Sequence, residues 1–267
     1  MKNFRFLLIA FLLLVFFFSC KREDPIVDIP IKYGNIGFQF THNVDGQALV
    51  VDTLIYTNAA GNNYMVNEVQ YFVSDIVLQN SNGTFFSFGT GSDVHYVDSD
   101  LPSTSTWSVP DNIPVGSYTS IAFTFGLNEV RNLSNVFLNP PESNMFWPEF
   151  LGGGYHYMKL NGKWVDTASN LSAFNFHLGI GQTYDAVVVD SITGFVQNYF
   201  TVTLPNSAFT VREDKTTTVE IIMNMEKWFN TPNVWDFNEC SATMQNQTAM
   251  QRAIENGGTV FSVGPIQ

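Results

Sequence analysis

Apolar and polar residues alternate along most of the chain. In IGFQFTHNV, residues 36–44, Phe38, Phe40 and His42 fall on one face, with the period of two that marks a strand with one buried side. The stretches EVQYFVSDIVLQ, GTFFSFG, VHYVD, SYTSIAFTFGL, YHYMKLNGKWV, LSAFNFHLGI, YDAVVVD, GFVQNYFTVTL and TTVEIIMNM either alternate likewise or run apolar between turn signals. Asn82-Gly83 and Asn161-Gly162 read as hairpin turns. This spacing predicts an all-β fold, an antiparallel β-sandwich of roughly nine or more strands. A single helix is expected near the C-terminus, where Ser241 caps ATMQNQTAMQRAIEN and Gly257-Gly258 ends it. Met250, Ala253 and Ile254 would face the sheet.

The first residues break this pattern. Lys2 and Arg5 precede an unbroken apolar run that stops at Ser19-Cys20, too short for a comfortable membrane span and built like a secretory signal. A cysteine behind a small residue is the arrangement that bacterial lipoprotein signals present for cleavage and lipidation. Residues 1–19 are therefore expected to be a lipoprotein signal peptide with Cys20 lipidated, an acyl anchor holding the domain at a membrane. Residues 20–33, with two prolines, mixed charges and no periodicity, read as a tether. Residues 34–267 contain no internal repeat or linker and read as one domain. Glu23 and Asp24 resemble the acidic export signals of Bacteroidetes outer-membrane lipoproteins, which points to the cell envelope on the periplasmic or surface-exposed side.

Composition narrows the function. The chain carries 24 acidic and 12 basic residues, a net charge of −12, and no Lys/Arg cluster beyond Lys21-Arg22. Nucleic acid is not an expected partner, because affinity for it rests on neutralising phosphates. Aromatic residues make up 15% of the chain, a composition that suits strands. With Cys20 acylated, Cys240 is the one thiol left, so the domain has no internal disulfide and its core alone must hold it together.

Motifs for common enzyme chemistry are missing: there is no G-x-S-x-G elbow, H-E-x-x-H, phosphate loop or dinucleotide fingerprint. Gly152-Gly153-Gly154 does not precede a helix start and so is not a phosphate loop. No catalytic residues are expected. What remains is histidine, the commonest metal ligand: His42, His95, His156 and His177 all fall in aromatic-rich predicted strands. Met158 stands two residues after His156, on the same face of a regular strand, and thioether with imidazole suits copper. His177 lies opposite the Phe174, Phe176 and Leu178 face, whereas His42 extends the Phe38-Phe40 row. Trp147, between Met145 and Phe150, either packs in the core or lines a pocket.

Six stretches, FQFTHNVDGQAL, VNEVQYFVSDIVLQNSNG, IPVGSYTSIAFTFGLN, MFWPEFLGGGYHYMKLNG, FNFHLG and MQNQTAMQRAIENGGTVF, run in the order seen in the methanobactin-cassette protein P (MbnP-like) copper-binding family, which the chain resembles over nearly all of its mature length. The resemblance implies a β-sandwich that binds copper outside the cytoplasm without catalytic turnover. It further implies a tryptophan that a partner di-haem enzyme oxidises to kynurenine, a ligand that works together with histidines. Carried onto this chain, Trp147 matches the family's M-x-W stretch and His177 its F-H-L-G stretch, with His42 closing the first-strand motif. Glu149 stands where many relatives have a second tryptophan, and the paired cysteines of many relatives are absent. The expected metal set is thus His177, His42, His156 and Met158, with Trp147 as a modified ligand or pocket wall and copper as the cofactor. The alternative is a surface lipoprotein that binds a glycan or partner protein through exposed Trp107, Tyr155, Tyr157 and Trp164.

Overall fold

The computed structural model describes residues 30–89, 93–185 and 191–267. Cys20, the expected signal peptide and most of the expected tether lie outside the described residues, as does most of the YDAVVVD run. Among the described residues there are seventeen strands. In chain order they are β1 Tyr33–Val44, β2 Gln47–Ala48, β3 Tyr56–Thr57, β4 Asn63–Asn80, β5 Phe85–Ser87, β6 Val94–Asp98, β7 Thr106–Ser108, β8 Ile113–Pro114 and β9 Gly116–Phe125. There follow β10 Met158–Val165, β11 Leu171–Leu178, β12 Gly181–Tyr184, β13 Ile192–Val196, β14 Phe200–Leu204, β15 Phe209–Val211, β16 Thr216–Asn224 and β17 Phe261–Ile266. The helix α1 spans Gln247–Gly257.

The strands form a sandwich of two main sheets. A six-stranded sheet runs β17-β16-β1-β2, with β7 and β8 also paired to β1. A nine-stranded sheet runs β11-β10-β4-β9-β14, with β3, β5 and β6 along β4 and β15 along β9. Pairing is antiparallel except between β1 and β16, which run parallel from Asn35↔Thr216 to Asn43↔Asn224. The long β4 serves as the spine, because its first half pairs with β10 and its second half with β9. β12 and β13 make a separate hairpin.

The core lies between the sheets and is largely aromatic. Tyr71 of β4, fully buried, meets Phe40 of β1 and Phe261 of β17 at ring separations of 6.4 Å each. Each such side chain withdrawn from water stabilises the fold by about 1.5–3 kcal/mol. Trp107, Tyr155, Tyr157 and Trp164 are all buried as well, so the exposed stacking platform of the alternative reading is not formed.

Four local expectations change. Asn161-Gly162 is not a turn but lies inside β10 at a register shift against β4, where the Met65 carbonyl and the Phe174 ring press on Gly162 too closely for a side chain. Strand β10 begins at Met158 rather than Tyr155, and GFVQNYFTVTL divides into β13 and β14. Asn246, not Ser241, caps α1, its Oδ1 accepting from the Ala249 amide at 3.0 Å. Met250 and Ala253 of α1 are buried as the pattern predicts, with Ile254 partly so.

Candidate metal centre

Alternation in β10 and β11 assigns side chains to two faces. Met158 stands opposite both Leu178 and Tyr71, and all three point into the core. One residue on, Lys159 stands opposite His177 and Gln70, which therefore share the outer face. Next along that face, Asn161 stands opposite Asn175 and Glu68.

The segment between β9 and β10 covers part of this outer face. Phe72, the outward neighbour of Tyr71, stacks on Phe137 at 5.3 Å and meets Tyr155 edge-on at 6.3 Å. Within the cover, short 3₁₀ turns at Glu142–Met145 and Glu149–Leu151 lead into Gly152, Gly153 and Gly154, at φ of 118°, 69° and 76°. Three successive left-handed residues are accessible to glycine at little cost. The bend folds the chain back on itself: the Trp147 amide donates to the Gly154 carbonyl at 2.8 Å, and the His156 amide to the Met145 carbonyl at 2.6 Å. This small hairpin sets Trp147 against His156, with ring centroids 4.6 Å apart at 74°.

His156 and His177 meet across the seam between cover and sheet, with ring centroids 5.2 Å apart at 83°. His156 Nδ1 lies 2.9 Å from the Met145 carbonyl. A carbonyl only accepts, so Nδ1 carries the proton and Nε2 keeps its lone pair. His177 Nε2 lies 2.7 Å from Asn161 Oδ1. Thr243, on the chain leading to α1, receives the His177 amide at 2.7 Å and donates its hydroxyl to the His177 carbonyl. That clamp holds the open side of β11 at the residue that matters.

Trp147 is fully buried and its indole N–H donates to the Leu151 carbonyl at 3.1 Å. Its six-membered ring rests on Gly179, where a Cβ would come within 2.7 Å of Cε3. The FNFHLG stretch thus supplies both His177 and the glycine that seats Trp147.

Burial sets the electrostatics. It lowers the His156 pKa to about 3, helped by the neighbouring His177, and the His177 pKa to about 4, helped by the Lys159 charge. Both rings are therefore neutral at pH 7, the form that binds metal. The Lys159 ammonium donates to the Asn144 carbonyl at 2.6 Å, tying the cover to the sheet.

The other expected ligands are elsewhere. His156 and Met158 do not share a face, because residues 155–157 are not regular strand and the two-residue rule does not hold there. His42 lies between the sheets, edge-on to Tyr71 at 5.7 Å, hence on the opposite side of the nine-stranded sheet from His177. Burial lowers its pKa to about 4, and its Nε2 is enclosed with no hydrogen-bond partner. Its ring also helps line a cavity of about 360 Å³ with Phe40, Leu49, Val51 and Pro102. His95 is a packing residue, stacked between Phe40 and Trp107 at 5.3 and 4.9 Å with Nε2 on the Thr104 carbonyl at 2.8 Å. Among the described residues, one trio of acidic, histidine or cysteine groups gathers within metal-binding distance, Glu68, Asp98 and Asp100, and it excludes both histidines of the pair.

Fold and site together define a β-sandwich whose outer face holds a neutral histidine pair walled by a tryptophan. The family model described as MbnP matches residues 33–249. The chain belongs to the MbnP family. Among solved structures it is similar to MbnP from Methylosinus trichosporium, with a TM-score of 0.56 and 17% identity, over 88% of this chain and 99% of that one. That likeness concerns the fold. Among curated proteins no relative matches.

Proposed function

We propose that this protein binds copper at His156 and His177, with Trp147 closing the site, and that it holds or hands on the metal without catalytic turnover. The observation that carries the reading is the pair itself: two neutral imidazoles at 5.2 Å, His177 half-buried and His156 buried against Trp147 at 4.6 Å. Membership in a methanobactin-associated family supports the metal assignment.

The donor set favours monovalent copper. Zinc in a closed protein site takes four ligands, whereas no third histidine, cysteine or carboxylate gathers with this pair among the described residues. The cost of desolvating an ion rises with the square of its charge, and Lys159 adds a positive charge beside the pair. Both effects weigh against a dication. Trp147, 4.6 Å from the His156 ring, is in this reading the residue that a di-haem partner converts to kynurenine. The acyl anchor at Cys20 holds the domain at the outer membrane.

Protein purified from its own host tests this. Metal analysis should find copper above background, and mass spectrometry of the Trp147 peptide should find the oxidised ring. Protein with neither copper nor a saturable copper site would defeat the proposal. Cys20→Ala should release the protein from membranes, and a variant still membrane-bound would remove the anchor from the account.

A further inference from the structure

The outer face beside the histidine pair carries a hydrogen-bonded chain that the metal reading does not use. Asn161 Oδ1 lies 2.7 Å from His177 Nε2, and Asn161 Nδ2 donates to Glu68 Oε2 at 3.0 Å. The other Glu68 oxygen accepts from Gln70 Nε2 at 2.7 Å, and Gln70 Nε2 also reaches Asp98 Oδ2 at 3.2 Å. Tyr96 donates its hydroxyl to the same Asp98 oxygen at 2.8 Å.

The direction of each bond in this chain is forced. A carboxylate accepts only, so Glu68 must face the amide NH₂ of Asn161. The Asn161 carbonyl oxygen then necessarily faces His177, and an oxygen there requires a proton on His177 Nε2. The remaining ring nitrogen, Nδ1, is left with the lone pair. We propose that Glu68 and Asn161 are positioning residues that hold His177 as its Nε2–H tautomer, so that it ligates metal through Nδ1. The Met145 carbonyl does the same for His156 with the opposite nitrogen, leaving Nε2. The two histidines of the pair thus present unlike nitrogens, each fixed by its own partner. Outer partners of this kind orient a ligand ring and raise its basicity.

This inference rests on the copper reading for its purpose but not for its test. The tautomer of His177 is measurable in the metal-free protein by long-range nitrogen–proton NMR correlation. The expected result is a single Nε2–H form in the wild type, its loss in Asn161→Leu, and its retention in Asn161→Asp, whose carboxylate still accepts. In Glu68→Gln the Asn161 amide is free to turn over, and a mixed tautomer is expected. Copper affinity should fall about 10- to 100-fold in Asn161→Leu. A wild-type His177 protonated on Nδ1, or a tautomer unchanged in a folded Asn161→Leu protein, would overturn the inference. If the tautomers behave as stated but copper does not bind, the positioning role stands and the copper reading falls.

Discussion

His42 makes the fold sensitive to acid. Its ring sits against Tyr71 with Nε2 enclosed and unpartnered, and burial holds its pKa at about 4, against about 6.5 in an unfolded chain. The folded state therefore resists a proton that the unfolded state accepts. Stability from this residue is undiminished above the unfolded pKa and is lost as pH falls from about 6.5 toward 4. At pH 5 the unfolded chain has gained about 1.5 units of proton affinity over the folded one, worth about 2 kcal/mol at 1.36 kcal/mol per unit. That is a large share of the 5–15 kcal/mol typical of a whole domain. His42→Phe extends the Phe38-Phe40 row with a ring that does not titrate. Urea unfolding at pH 7.5 and pH 5 should show the wild type losing about 2 kcal/mol more than the variant across that interval. Equal losses in the two proteins would refute the reasoning.

Gly179→Ala should push the Trp147 ring off its seat and cost about 1–3 kcal/mol by overpacking. Calorimetry reads the loss, and a shift in tryptophan emission reads the movement. Gly154→Ala combines a φ of 76° with a Cβ forced onto the Asn132 side chain, and a midpoint lowered by about 1–3 kcal/mol is expected; an unchanged midpoint would show that the bend relaxes freely. Thr243→Val removes both hydroxyl contacts to the His177 backbone at a buried position. A cost of about 1–3 kcal/mol and faster hydrogen exchange at the His177 amide should follow.

The strands were legible because a strand with one wet side writes its burial as a period of two, which β10, β11 and β16 carry. The face of His177 was legible for the same reason. What misled was local: Asn161-Gly162 has the composition of a hairpin turn, yet Gly162 is there to let the Met65 carbonyl and Phe174 approach. Reading those residues as a turn hid Asn161 as the partner of His177. Pairing His156 with Met158 failed because regular strand begins only at Met158, and the bend through Gly152–Gly154 turns His156 to the outer face. No sequence pattern could place Trp147 on Gly179, since that contact joins a loop to the end of a strand 32 positions later in the chain.

The most direct test of the account is anaerobic titration with monovalent copper of the wild type and of a His156→Ala/His177→Ala double variant, with His42→Phe as the comparison. One saturable copper site in the wild type and in His42→Phe, lost in the double variant, is the result expected. Copper bound equally by the double variant, or lost in His42→Phe alone, would contradict the placement of the metal on the outer face.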